Sequence, residues 1–368
     1  MFSPAFATFN FLGVAFILLP AAWHWRARNT ATLLFIFWCF VTVLPQAINS
    51  VIWYHGVEPE APIWCDIMTK LRVGGDVGIP AAVLCITRQL EAIAAARTAH
   101  FSAEDRRRRR LVDLAIGLGL PILVMILHTI VQGHRYDIIQ RIGCTPTIYW
   151  SLPAIFLVVI WPLILDLTAA VYAVLAMRLF IARRYQFARI LEASKSAIST
   201  SRFIRLMALS TLQIVYAFPV ALVLRGVQFA VVPLDPYTSW GDVHQGFGYI
   251  GTATLAEYSL GSGSVHYARL QELSAWGYAI SCTFFFIFFG LGEESLSVYR
   301  GWIARAGKIC GMSRFSSWEA SNSSHPEATQ VSLPPYPRSE QSYTKEAEQD
   351  FPTKGVMVTV EEDNYTSV

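Results

Sequence analysis

The chain has 368 residues, of which 54% are hydrophobic and only 15% charged, with a formal net charge of +3 and a mean hydropathy of +0.41. A soluble core of this length needs no such apolar fraction, which excludes an ordinary soluble domain. The small net charge averages basic connections with an acidic tail and gives no ground for a nucleic-acid partner.

A hydrocarbon layer of ~30 Å takes roughly 20 helical residues per crossing, and within it the backbone must satisfy its own hydrogen bonds. Seven apolar runs meet that length: Phe6–Trp25, Thr30–Trp53, Trp64–Leu90, Leu111–Val131, Trp150–Met177, Leu206–Val232 and Leu273–Leu291. They predict an all-α membrane protein, with a seven-helix transmembrane bundle over residues 1–311. Residues 312–368 are rich in Ser, Thr, Pro and Glu, bury too little apolar surface to fold alone, and read as a disordered cytoplasmic tail. The first run lacks a basic leading region and a small-residue cleavage site, so it reads as a retained helix.

Cationic clusters lie between alternate pairs of spans: Arg26 and Arg28, then Arg97 with Arg106–Arg110, then Arg183, Arg184, Arg189, Lys195 and Arg202. The opposite loop Tyr54–Ile63 has no Lys or Arg, and the later opposite loops have only Arg135, Arg141 and Arg269. Positive loops stay in the cytosol, which predicts an external amino terminus and a cytoplasmic carboxyl tail. The Arg106–Arg110 run either sets topology beside anionic headgroups or also contacts a cytosolic transducer.

The third span is the least apolar, with Asp66, Lys70, Arg72 and Asp76, then Arg88 and Glu91 at its inner end. Ionisable groups facing lipid are costly, so this helix is expected at the bundle centre. Asp66 with Lys70 and Arg72 with Asp76 are spaced to share a helix face. Either each acid neutralises its base, or the group lines a water-filled outer cavity for the polar end of a ligand. Asp166, deep in the fifth span, is expected to be either protonated or paired.

Cys65 and Cys144 both fall on the oxidising side, whereas Cys39, Cys85 and Cys282 are within spans and Cys310 is inside. A bridge between the two would pin the second outer loop over the third helix; two free thiols are the alternative. Pro20, Pro45, Pro80, Pro121, Pro153, Pro162 and Pro219 interrupt the spans, and Pro219, just outward of Gln213 and Tyr216, is the expected hinge. The long third outer loop, near Pro233–Gln271, is aromatic and reads as a lid.

Catalytic signatures are lacking: no Gly-x-Ser-x-Gly elbow, no His-Glu-x-x-His pair and no phosphate-binding glycine loop. No two of the eight histidines stand at ligand spacing, so no metal, cofactor or enzyme activity is expected. The last span has no lysine for a retinal Schiff base. A transporter is the competing reading, although neither internal repeats nor matched broken helices are visible. In the tail, Leu333-Pro334-Pro335-Tyr336 is similar to WW-domain ligands of ubiquitin ligases, with chance occurrence in a proline-rich segment the favoured alternative.

Several segments together carry a family resemblance. They are Trp23-His24-Trp25-Arg26-Ala27-Arg28-Asn29 and Trp38; Ile48-Asn49-Ser50 with Trp53; Trp64-Cys65-Asp66-Ile67; and Leu84-Cys85-Ile86-Thr87-Arg88-Gln89-Leu90. Arg135-Tyr136 with Gly143-Cys144-Thr145-Pro146, Ser201-Arg202-Phe203-Ile204-Arg205-Leu206, and Phe288-Phe289-Gly290-Leu291-Gly292-Glu293-Glu294 complete the set. Over Met1–Gly311 the chain resembles the fungal receptors for lipidated, a-factor-type mating pheromones, a class D branch of the G-protein-coupled receptors, with the mushroom mating-locus receptors nearest.

The resemblance implies an extracellular farnesylated peptide pheromone as ligand and a heterotrimeric G protein as cytosolic partner. A buried prenyl chain, at ~0.8 kcal/mol per methylene, supplies membrane affinity but little discrimination. Specificity is then expected from polar peptide contacts, with Trp64, Asp66, Lys70, Arg72, Asp76, Tyr149 and Trp240 as candidates. Arg88, Arg184, Arg202 and Arg205 are the candidate G-protein contacts, although any one of them also serves as a positive-inside anchor. A homodimer stays open.

Overall fold

A computed structural model describes residues 4–97, 102–183, 200–261 and 265–309 of the chain. Seven of its helices are long and apolar enough to cross a membrane: α1 Pro4–Arg26, α2 Thr30–Ile52, α3 Pro62–Ala94, α4 Ala103–Val131, α5 Leu152–Arg183, α6 Thr200–Val231 and α7 Arg269–Gly290. The protein is a multi-pass membrane bundle, as the seven apolar runs predict. An eighth helix, α8 Glu293–Ile309, follows and was not foreseen.

Helix α3 sits at the centre, with 78% of its apolar window buried against 28% for α4 and α6. It packs on α2, α4, α5 and α6, while α1 closes the ring between α2 and α7. The outward faces carry exposed apolar side chains such as Phe11, Ile126, Leu167, Val174, Val215 and Leu222, which suits a lipid surround. Between helices, polar side chains act as glue. Gln46 Nε2 on α2 donates to Asn10 Oδ1 on α1 and to the Ala275 carbonyl on α7, each at 2.8 Å.

The tightest join is between α2, α3 and α4. Trp38 is buried, and an added Cβ at Gly78 would stand 2.3 Å from its indole carbons, so glycine lets α3 press flat on the ring. Pro121 has no N–H to offer the carbonyl of Gly117 in the α pattern. The Trp38 Nε1–H donates to that carbonyl at 2.6 Å. Beside it, Ala115–Gly119 winds as a π-turn, and Ile155–Val159 and Phe286–Gly290 do the same in α5 and α7. Such turns, like prolines, are where membrane spans bend.

One expectation is corrected. Arg106–Arg110, expected in a loop, form the first turns of α4. Ser102 caps that helix: its hydroxyl accepts from the Asp105 N–H at 3.1 Å, and the Asp105 carboxylate accepts from the Ser102 N–H at 3.0 Å. Glu104 and Asp105 also meet the positive end of the helix dipole.

The membrane-spanning bundle is all-helical, as expected, and a small sheet joins the loops at one end of it. Strands β1 Tyr136–Ile139 and β2 Gly143–Thr145 form an antiparallel hairpin after α4, and β3 Ile250–Ala253 pairs in parallel with β1. Gly143 has a φ of +82°, which only glycine adopts without strain, and its α-carbon lies against Asn49 and Trp53. The long α6–α7 loop, read from sequence as a lid, supplies a strand as well as the short helices Trp240–Val243 and Leu255–Gly261. The tail, Arg184, Cys310 and Leu333–Tyr336 lie outside the described residues.

Candidate functional site

A cavity of about 180 Å³ lies between α3, α5, α6 and α7. Ile79, Val83, Leu163, Val220 and Leu224 make its walls apolar, and Arg72, Asp76, Asp166, Gln213, Tyr278 and Ser281 supply its polar groups. The Tyr278 hydroxyl donates to Asp76 Oδ1, with the Arg72 guanidinium beside the same hydroxyl, so α3 and α7 are joined across the cavity. Ser281 Oγ lies 3.1 Å from Gln213 Oε1, and the Tyr216 hydroxyl donates to the Leu273 carbonyl at 3.1 Å, which joins α6 to α7. An apolar sleeve with a few convergent polar groups is the ordinary chemistry of a small-ligand or peptide-end pocket.

Of the seven residues proposed from sequence for ligand contact, only Arg72 and Asp76 line this cavity. The other five sit elsewhere on the β-hairpin side of the bundle. Trp64 Nε1 donates to Asn49 Oδ1 at 2.7 Å. Tyr149 donates to the Pro236 carbonyl at 3.2 Å. Trp240 is exposed and stacks on His244 at 3.9 Å between ring centres. Nearby, the Thr238 and Ser239 hydroxyls donate to Asp242 at 2.6 and 2.7 Å and hold its carboxyl below the usual range.

Asp66 and Lys70 are not each other's partner, contrary to the spacing argument. Asp66 takes a two-pronged pair from Arg135, with Nε to Oδ1 at 2.8 Å and Nη2 to Oδ2 at 2.5 Å. Lys70 Nζ donates to Gln132 Oε1 at 2.6 Å and sits 2.9 Å from His128 Nδ1 at the end of α4. Longer reach decides this: arginine from the hairpin meets the carboxylate with both prongs, whereas a helical neighbour offers a single ammonium. Cys65 and Cys144 are joined by a disulfide, with α-carbons 5.4 Å apart, amid Trp53, Tyr136 and Ile138. Disulfide and ion pair thus fasten the hairpin to the first turns of α3.

The Asp66–Arg135 side chains are 40% and 32% exposed, so water screens them. A double-mutant cycle of Asp66→Asn and Arg135→Gln on thermal unfolding is expected to give a coupling of about 0.5–1 kcal/mol. Zero coupling would mean the pair is ornamental.

At the opposite end, Arg88 Nη2 pairs with Asp113 Oδ1 at 2.5 Å, and Arg97 pairs with Glu91. Arg88, Glu91 and Arg97, with Arg108 and Arg109, line a second recess of about 390 Å³. Arg202 is buried, its guanidinium 4.1 Å over the Trp23 ring, and Arg205 is half-buried. Among the described residues, no group of three or more His, Cys, Asp or Glu is placed to hold a metal ion.

Sequence reasoning missed Tyr278 and Ser281 as partners of α3 and α6. Their signal was present, as two polar residues three apart near the middle of a span that also carries Ser274 and Thr283. Arg135 and Asp113 carried no signal of their partners, because both pairings join segments distant in sequence.

Comparison with known proteins adds an independent finding. A family model described as STE3, Pheromone A receptor, matches residues 5–308. The chain is 40% identical over 299 residues to the Pheromone B beta 1 receptor of Schizophyllum commune, covering 81% of this chain and 54% of the relative. It is 34% identical over 306 residues to the Pheromone B alpha 2 receptor of the same fungus, covering 82% and 47%. With Pheromone receptor 2 of Mycosarcoma maydis it shares 35% over 282 residues, covering 75% and 79%. The chain spans about half the length of the two Schizophyllum relatives.

Proposed function

The chain belongs to the STE3 pheromone A receptor family, and from that premise we propose that it is a mating-pheromone receptor of the plasma membrane. It binds an extracellular farnesylated peptide and activates a heterotrimeric G protein. The observation that carries this reading is a match that runs through all seven spans and takes in the cavity between α3, α5, α6 and α7. The hairpin end is then external, in keeping with its disulfide, and the arginine end is cytosolic. Residues 1–311 form the receptor body and 312–368 a cytoplasmic tail, with Leu333–Tyr336 as a WW-domain ligand. A second copy of the chain is a further proposed partner.

The apolar sleeve suits a lipidated peptide, and Arg72, Asp76 and Tyr278 supply a polar grip at its side. Trp64, Asp66, Lys70, Tyr149 and Trp240 act indirectly, by shaping the hairpin and loops through which the peptide is recognised. Arg88, Arg184 and Arg205 are the G-protein contacts in this reading, whereas Arg202, buried over Trp23, acts from within the bundle, and Pro219 is the hinge of α6. Signalling requires that the peptide prefer one of two helix arrangements.

The test is guanine-nucleotide exchange on added G protein, with the full chain in nanodiscs, with and without a synthetic farnesylated, carboxymethylated peptide. Peptide-dependent exchange is expected; solute flux without exchange would favour a transporter. Tyr278→Phe removes the hydroxyl that bridges α7 to Asp76. A hydrogen bond to a charged group is worth about 1.5–3 kcal/mol, so a potency loss of roughly tenfold or more is expected at unchanged surface expression. Unaltered potency would remove this pair from the ligand grip.

A further inference from the structure

Two segments that stand out in the sequence, Trp23–Asn29 and Ser201–Leu206, meet at the arginine end of the bundle. Arg202, in the first turn of α6, is 4% exposed, and its guanidinium lies 4.1 Å over the Trp23 ring near the end of α1. The negative face of an indole attracts a cation, most strongly where water is excluded. Next in the chain, Phe203 is fully buried and stacks on Phe180 of α5, with ring centres 5.6 Å apart. The base of α6 is thus gripped from α1 and from α5.

Burial along α6 is lopsided. Of its eight buried residues, seven, from Arg202 to Gln213, precede Pro219, and only Leu224 follows it. The arginine end of α6 is therefore packed shut, while the stretch around Pro219 borders the cavity through Tyr216, Val220 and Leu224.

The same join holds a group that works against it. His24, beside Trp23, is fully buried, with its ring 5.4 Å from Phe285 and 5.1 Å from Phe289 of α7. Both of its ring nitrogens lack a hydrogen-bond partner among the described residues. An imidazole carries polar atoms at both positions, and burying them unmet costs free energy. Parting α6 from α1 would let water reach His24. One side chain of the pair Trp23-His24 therefore holds the seam, and the other lowers the cost of opening it.

We infer that Trp23, Arg202 and His24 form a latch that sets the resting position of α6. The stacked guanidinium keeps the base of the helix against α1, and the unmet imidazole keeps a displaced arrangement within reach. All three are positioning residues, acting on α6 without touching ligand. The nucleotide exchange that the latch would restrain rests on the receptor reading; the latch itself does not.

The experiment measures spin-label distances between Ile204→Cys on α6 and Arg110→Cys on α4, both exposed positions, in the full chain with Cys310→Ser. The protein is held in nanodiscs with neither peptide nor G protein. Trp23→Leu is expected to raise the displaced population about tenfold, and Trp23→Phe less, because a phenyl ring is the weaker host for a cation. Adding His24→Leu to Trp23→Leu is expected to bring that population down again severalfold, a reversal that mere loss of packing would not give. Basal exchange on added G protein is expected to follow the same order. Distances that move while exchange stays flat uphold the latch and count against the receptor reading. An unmoved distribution in Trp23→Leu overturns the latch, as does a displaced population that His24→Leu leaves unchanged or raises. Should Trp23→Leu fail to fold, an unmoved distribution in Trp23→Phe overturns it equally.

Discussion

Replacing Cys65 or Cys144 by serine is expected to cost about 2–3 kcal/mol of stability, read as an earlier loss of the folded full chain on heating in detergent. The bridge closes a separation of 79 residues, which in a soluble chain would remove about 4–5 kcal/mol of unfolded-state freedom. The smaller figure applies because α3 and α4 remain helical in a membrane-like phase after the bundle loosens, so much of that freedom is never gained. What the cut releases is the hairpin, with Tyr136 and Ile138 leaving their contacts with Trp53. The double variant Cys65→Ser/Cys144→Ser is expected to match either single variant, since both break the same bond. Additive losses would show that each sulfur acts separately. Ligand response is expected to fall further than expression, because the hairpin stands beside the mouth of the bundle.

Gly78→Ala is expected to be strongly destabilising for so small a substitution. Its methyl carbon would stand 2.3 Å from two indole carbons of Trp38, a side chain 1% exposed and held by its bond to Gly117. Neither the ring nor the α3 backbone has room to yield. Overpacking of this kind costs about 1–3 kcal/mol, and release of the indole N–H adds about 1 kcal/mol. Fluorescence-detected size exclusion after a heat step measures the loss. Gly226→Ala is the control, because nothing lies within 4 Å of a Cβ there. Trp38→Phe in the Gly78→Ala background is expected to recover part of the loss, since the smaller ring makes room. Equal behaviour of the Gly78→Ala and Gly226→Ala variants would refute this account of the α2–α3 join.

Much of this architecture was legible in the residues themselves. Apolar run length gave the spans, and the ionisable side chains of α3 gave its central position, because lipid tolerates them nowhere else. The start of α4 was also written, in Ser102 and Asp105, but five arginines masked it by suggesting a loop. Strand β3 was hidden for a different reason: four residues within a long loop become a strand only when β1 offers its edge. The cavity was half legible. Arg72 and Asp76 announced themselves by charge, whereas Tyr278 joins them only because α7 turns that face inward. The Asp66–Arg135 pair could not be read at all, since helix spacing favoured Lys70 and the hairpin overrode it.

The parallel seam between β1 and β3 has a mechanical consequence. It stitches the α6–α7 connection to a hairpin that is itself riveted to α3 by a covalent bond and an ion pair. At that end the α6–α7 connection is moored to α3. A swing of α6 is then expected to be freest at its far end, beside Arg202 and Arg205.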